Sequence, residues 1–220
     1  MRVAVIPVKE LARAKERLRP VLPDDARRAL VLAMLADVLE AALTSGVLDI
    51  VAVVSRDDSV LSMADSAGAA RLDEPEHGGG LNAALERART GFPEARELVV
   101  LPADLPFALP QEVRQLVAAA ETGPALALVT SGDGGTNALA LSPPGLIPFR
   151  FGPDSGRRHE DEARRLGVRS LRLSLSSLSL DIDTPADLAL MESLREQCRP
   201  RTAAILDLLR PTTAGSTERE

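Results

Sequence analysis

The chain reads as an α/β protein, a single domain whose mostly parallel central sheet carries helices on both faces. Three observations predict this. Short apolar runs of strand length recur along the chain, segments of helical periodicity separate them, and 45% hydrophobic residues in 220 suffice for one large core.

The elements follow in order. Apolar runs at 3–8 and 50–54 enclose residues 24–44, where Leu30, Met34, Val38 and Ala42 fall on one helical stripe that stops at Ser45-Gly46. This is a β-α-β unit. Helical patterns at 57–67 and 81–89 precede the run at 98–101, and a helix at 111–121 leads to the run at 125–129. Further strands are expected at 138–141 and 171–180. Beyond Val129 the segments SGDGGTNALAL and LSPPGLIPFRFGPDSG are dense in Gly and Pro, which predicts a lid or substrate lobe built onto the sheet, with a polar helix after FGPDSG. The last helix should begin at Thr184-Pro185-Ala186-Asp187, with Thr as N-cap, Pro at the first position and an acid reaching back to the cap. The domain is expected over 1–198, followed by a C-terminal extension, 199–220, that ends in a disordered tail from Pro211.

Composition excludes several function classes. With 26 Lys+Arg against 32 Asp+Glu, the net charge of -6 argues against nucleic acid as a partner, and 2% aromatics without Trp or Tyr leave little for base stacking. The single cysteine, Cys198, permits no internal disulfide and no thiolate zinc site. The N-terminal apolar stretch is too short for a signal peptide, and no run approaches a spanning helix, so no membrane role and a cytoplasmic location are expected. The oligomeric state stays open, a homodimer included.

The stretch LVVLPADLPF places Asp104 just past an apolar strand, between Pro102 and Pro106. Open parallel sheets gather ligands outside the carboxyl ends of their strands, where an acid can serve Mg²⁺ as an oxygen ligand. Alternatively Asp104 stabilises a turn or caps the helix near Pro110. In SLDIDTPADL, Asp181 and Asp183 alternate with apolar residues at strand spacing, so both carboxylates face one way and repel unless a cation sits between them. Together the three acids make a candidate site for one or two Mg²⁺ ions bridging phosphates. Asp183 could instead belong only to the turn into the helix.

After the first strand, KELARAKERL puts Lys9, Arg13, Lys15 and Arg17 where a nucleotide-binding sheet holds phosphates. The glycines of a dinucleotide fingerprint or a P-loop are missing, so neither a dehydrogenase nor a Walker-type ATPase is supported. Positive side chains would clamp a triphosphate in their place, or form a solvated basic face. The segment HGGGLNAAL opens a helix with Gly80 and Asn82 near its start and could meet a base or ribose. Gly135, Thr136 and Asn137, with Gly152 and Ser155, supply backbone amides and hydroxyls suited to a carboxylate or phosphate, although either segment could be an ordinary turn. His159 is expected at the surface or behind the site rather than as a catalytic base.

The motifs VIPVKELARAKERL, GGGLNAAL, LPADLPF, GGTNALAL, FGPDSGRRH and LDIDTPADL, in that order, resemble the phospholactate guanylyltransferases, called CofC in archaea and FbiD in actinobacteria. The resemblance runs from about Arg2 to Glu196. It implies a nucleotide-diphospho-sugar transferase fold similar to the molybdopterin guanylyltransferases. It also implies a reaction of coenzyme F-420 biosynthesis, in which GTP and a small phosphorylated three-carbon acid give a guanosine diphosphate-linked acid and pyrophosphate. The acids implied are 2-phospho-L-lactate, phosphoenolpyruvate and 3-phosphoglycerate. By matching motifs, Asp104 and the acids of LDIDTP would ligate Mg²⁺, Lys9, Lys15 and Arg17 would face the triphosphate, and Thr136, Gly152 and Ser155 would hold the acceptor's carboxylate. The molybdopterin relatives carry a glycine-rich first loop that is KELARAKERL here, so their phosphate clamp does not carry over. Rival expectations are a nucleotidyltransferase of the same fold acting on a sugar phosphate or molybdopterin, and a non-catalytic nucleotide-binding regulator.

Overall fold

The computed structural model describes residues 1–74 and 79–209. Its strands are β1 (Arg2–Pro7), β2 (Ile50–Ser55), β3 (Ala70–Asp73), β4 (Glu97–Val100), β5 (Ala125–Thr130), β6 (Thr136–Ser142) and β7 (Arg169–Arg172). Its helices are α1 (Asp24–Leu43), α2 (Asp58–Ser66), α3 (Leu81–Gly91), α4 (Pro110–Ala120), α5 (Ser155–Arg165), α6 (Pro185–Ser193) and α7 (Pro200–Leu209). The strands form one sheet in the order β3-β2-β1-β4-β6-β5-β7. Only β6 runs against its neighbours, antiparallel to β4 and β5, so the sheet is mostly parallel as expected.

Side-chain alternation along the central strands divides the core in two. Ala4 and Ile6 of β1 and Val99 of β4 face a layer that includes α1, α2, α4 and α6, whereas Val3, Val5, Leu98 and Val100 face α3 together with Ile147 and Phe149. Burying a Leu or Val side chain contributes about 1.5–3 kcal/mol, so these double-sided strands anchor the fold. In α1 the expected stripe of Leu30, Met34, Val38 and Ala42 is buried, but so are Val31, Leu35, Leu39 and Ala41. The helix is apolar on more than one side because α7 covers what the sheet does not.

Four differences from the sequence reading have physical causes. β3 is a short strand whose side chains alternate between half-buried and exposed, so it carries no apolar run. The segment after Val129 is not an added lobe: β6 inserts between β4 and β5 at the centre of the sheet. The expected strand over 171–180 is shorter and earlier, because beyond Arg172 the chain leaves the sheet, makes a 3-10 turn at Ser176–Leu178 and continues irregularly through Asp183. The helix at Pro185 is not the last. α7 follows it within the expected C-terminal extension, fixed by the fully buried Asp37 of α1, whose Oδ2 accepts from the Thr202 amide and hydroxyl, both at 2.8 Å. A buried carboxylate requires such partners. The tail expected from Pro211 lies outside the described residues, as do His77 and Gly78 of the HGGG segment.

Candidate active site

The topology sends the predicted segments to one end of the sheet. Asp104 leaves the carboxyl end of β4 in a turn at Ala103–Asp104, and the basic segment leaves the carboxyl end of β1, which pairs in parallel with β4. β6 runs the other way, with Val100 opposite Leu139 and Leu98 opposite Leu141, so its first residues, Thr136 and Asn137, project past the end of β4. The LDIDTP segment is drawn to the same place by Glu112 at the start of α4, whose Oε2 accepts from the Ser177 amide at 2.8 Å and hydroxyl at 2.7 Å.

Asp104, Asp181 and Asp183 meet there. One carboxylate oxygen from each lies within 4.8 Å of the other two. Lys15 places its ammonium among them, 2.5 Å from Asp104 Oδ2 and 2.7 Å from Asp183 Oδ1. The backbone delivers it by an unusual route: two 3-10 turns, Leu11–Arg13 and Glu16–Leu18, flank Lys15, which adopts the left-handed conformation at φ 52°. A non-glycine residue there is uncommon and needs surrounding support. Arg27 of α1 supplies it, since its buried guanidinium donates to the carbonyl of Ala14 and to Asp24.

The electrostatics follow from this crowding. Burial alone would lower the Lys15 pKa, but Asp104 and Asp183 reverse the effect and raise it. Burial, then the Asp104 charge, pushes the Asp181 carboxyl above the usual range, although Asn137 donates to Asp181 Oδ1 at 3.1 Å. Burial opposes ionisation of Asp183 as well, yet the charge and hydrogen bond of Lys15, aided by Arg17 and Lys9, hold it below the usual range.

The donor set fits a hard divalent cation. Asp104 Oδ1 is buried without a hydrogen-bond partner among the described residues, a costly state for a carboxylate oxygen unless something binds it. All three acids offer hard oxygen ligands of the kind Mg²⁺ takes, and their gathering within 4.8 Å would let them converge on one ion.

The second Gly-rich group assembles beside the acids. Thr136 and Asn137 are buried at the start of β6, and Ser155 is buried at the start of α5. Gly156 lets α5 approach, its N–H donating to the Gly134 carbonyl at 3.1 Å; a Cβ there would stand 2.6 Å from Thr130 Cγ2. Gly152 has φ +125°, a conformation other residues rarely adopt, and its carbonyl accepts from the Ser155 amide at 3.1 Å. Gly80 precedes α3, with φ +82°. The amide of Asn82 is engaged in both directions with the backbone of Phe151, donating to its carbonyl at 3.1 Å and accepting from its N–H at 2.8 Å. Asn82 therefore joins the GGG helix to the FGPDSG loop. Lys9, Arg13 and Arg17 are exposed on the basic segment, with Lys9 and Arg17 near enough to act on Asp183.

Sequence reasoning missed Arg27, which nothing local distinguishes from the other charges of DDARRAL. Of the two places expected for His159, the surface or behind the site, the structure shows the second: it is fully buried against Thr136 and edge-on to Phe151, at 5.1 Å between ring centroids. Its signal was a lone histidine one turn after Ser155, on a helix otherwise rich in charge.

An open α/β sheet with acids and a lysine at its strand ends suits an enzyme that acts on phosphate groups, and similarity to known proteins defines the class as a nucleotidyltransferase. The fold agrees: a Desulfovibrio desulfuricans G20 protein assigned to the nucleotide-diphospho-sugar transferases superposes with a TM-score of 0.77 at 19% identity, covering 94% of this chain and 96% of its own. A Mycobacterium tuberculosis protein solved in complex with manganese superposes with a TM-score of 0.54 at 19% identity, over 86% and 97% of the two chains. Residues 1–194 match the family model described as "Guanylyl transferase CofC like". A phosphoenolpyruvate guanylyltransferase of Rubrobacter xylanophilus is 46% identical over 205 residues, 91% of this chain and 98% of that protein. The chain belongs to the CofC-like guanylyl transferase family and is a guanylyltransferase. No helix among the described residues is long and apolar enough to cross a membrane.

Proposed function

We propose that the protein transfers the guanylyl group of GTP to the phosphate of a small phosphorylated three-carbon acid, with phosphoenolpyruvate first among the candidates, as a step of coenzyme F-420 biosynthesis. The observation that carries this reading is the convergence of Asp104, Asp181, Asp183 and Lys15 beside the buried donors Thr136 and Ser155. The name of the Rubrobacter relative supports phosphoenolpyruvate; 2-phospho-L-lactate and 3-phosphoglycerate have the same charged ends.

An oxygen of the acceptor's phosphate attacks the α-phosphorus of GTP. The bond from that phosphorus to the bridging oxygen breaks, and pyrophosphate leaves with its electron pair. The nucleophile is already an anion, so no general base is needed, and the main barrier is the approach of two polyanions. Lys15, Lys9 and Arg17 lower it by placing positive charge along the triphosphate. Asp104, Asp181 and Asp183 would hold a divalent cation, Mg²⁺ in this reading, which would neutralise further phosphate charge. Thr136, Gly152 and Ser155 receive the acceptor's carboxylate. Asn137 orients Asp181, Gly80 lies on the nucleotide side, and Asn82 ties that side to the acceptor loop.

The test is pyrophosphate release with each of the three acids in turn, with GTP and with ATP, CTP and UTP as controls. Release with GTP and one acid is expected. Product formed only with a sugar phosphate or a molybdopterin would overturn the reading.

A further inference from the structure

His159 sits one helical turn beyond Ser155, fully buried, and both of its ring nitrogens are engaged. Nε2 lies 2.9 Å from the backbone N–H of Arg150. A peptide N–H only donates, so Nε2 has to be the bare, accepting nitrogen. The proton of the neutral ring is then on Nδ1, 3.1 Å from Thr136 Oγ1. A hydroxyl that accepts a hydrogen bond from His159 Nδ1–H still has its own O–H to donate. Among the described residues no carbonyl or carboxylate accepts it.

We infer that His159 is a positioning residue for the acceptor: by donating from Nδ1 it turns the Thr136 hydroxyl into an outward donor, so that the site selects an acceptor bearing a carboxylate at that point. The inference deepens the proposed function and rests on its placement of the acceptor's carboxylate at Thr136. A threonine free to rotate could offer either a proton or a lone pair and would accept a hydroxyl-bearing ligand nearly as well. One locked as a donor strands its proton when no anion is present, and an unmet buried donor is the stronger form of discrimination. The ring is built to remain neutral, because burial and the neighbouring Arg150 charge push its pKa down to about 4. Its orientation is fixed by a backbone amide, by the Phe151 edge contact and by the close seating of α5 at Gly156.

The test has two arms. The chain has two histidines, His77 and His159, so nitrogen-15 NMR of the histidine-labelled protein resolves both rings. His159 should show the Nδ1-protonated tautomer; an Nε2-protonated ring overturns the inference whatever the activity. In the kinetic arm, His159→Phe should raise KM for the three-carbon acid by about tenfold or more, the loss of one charge-assisted hydrogen bond, with KM for GTP within about twofold. His159→Asn, which can offer an amide N–H where Nδ1 stood, should recover much of the loss, and His159→Gln, which mimics Nε2, should not. An unchanged acceptor KM in His159→Phe, with the Nδ1 tautomer present, overturns the link to the acceptor. Wild-type protein inactive with every phospho-acid would strike the proposed function instead, while the NMR arm would still decide the His159 to Thr136 bond.

Discussion

The ammonium of Lys15 lies 2.7 Å from Asp183 Oδ1, joining two residues 168 positions apart in the chain. The same ammonium bonds Asp104, so the lysine supplies the positive charge that three neighbouring acids require. In the proposed function a divalent cation held by these acids would compete with Lys15 for Asp104 and Asp183, and the lysine would be freed to meet the phosphates.

The first prediction concerns that competition. Lys15→Gln should bind Mn²⁺ more tightly in the absence of nucleotide, by about tenfold, since removing a cation leaves the acids unneutralised. The gain is held to this size because Asp183 is about half exposed and screened by water. Turnover should fall by about a hundredfold or more with the loss of a phosphate contact. Electron paramagnetic resonance of free Mn²⁺ measures the first effect; unchanged or weaker binding would contradict the competition.

Arg27 is predicted to act on the nucleotide at a distance. Its guanidinium holds the Ala14 carbonyl next to the left-handed Lys15. Arg27→Leu should leave that carbonyl unpaired, cost about 1–3 kcal/mol of stability, and raise KM for GTP more than KM for the acceptor. Thermal unfolding and steady-state kinetics report the two effects, and a raised acceptor KM alone would show that the support serves another part of the site.

Gly156 should tolerate no side chain. The Cβ of Gly156→Ala would stand 2.6 Å from Thr130 Cγ2 and 3.2 Å from the Gly134 carbonyl oxygen. The variant should lose about 1–3 kcal/mol and bind the acceptor more weakly as α5 is pushed from the 131–135 turn. Adding Thr130→Ser removes the nearer clash, so the double variant should recover part of the loss. No recovery would place the strain at the Gly134 backbone.

His159 makes stability depend on pH. Its folded pKa, about 4, is below the ordinary value near 6.5, so the unfolded chain takes up a proton that the folded one refuses. Its contribution is fully present above about pH 6.5 and is lost as pH falls toward about 4, amounting to roughly 3 kcal/mol across that window. Chemical denaturation of wild type and His159→Phe between pH 7 and pH 4.5 should show the steeper decline in the wild type. Parallel declines would contradict it.

Most of the sheet was legible because its central strands are buried on both faces and carry unbroken apolar runs, as at Val3 to Ile6 and Leu98 to Leu101. The edge strands β3 and β7 were not read correctly, since exposed residues such as Arg71 and Arg169 break the pattern. α7 went unread although Pro200 stands at its first position, because its partner is Asp37, 165 residues before Thr202. The acids at 104, 181 and 183 were visible because each interrupts or follows an apolar segment. Arg27 was not, as nothing local marks a side chain whose purpose is set by a carbonyl brought to it by the fold, and for His159 the sequence left open the surface and a place behind the site, because its Thr136 partner is 23 residues away.

The most direct test of the account is pyrophosphate release from GTP and phosphoenolpyruvate by wild type and Asp104→Asn. Asp104 meets both Lys15 and the other two acids, and its buried Oδ1 has no protein partner among the described residues. The wild type should turn over, and the variant should fold normally yet be slower by about a thousandfold or more, in line with removing one electrostatic contact to the transition state. A folded Asp104→Asn within about tenfold of wild type would contradict the assignment of this acidic cluster as the active site.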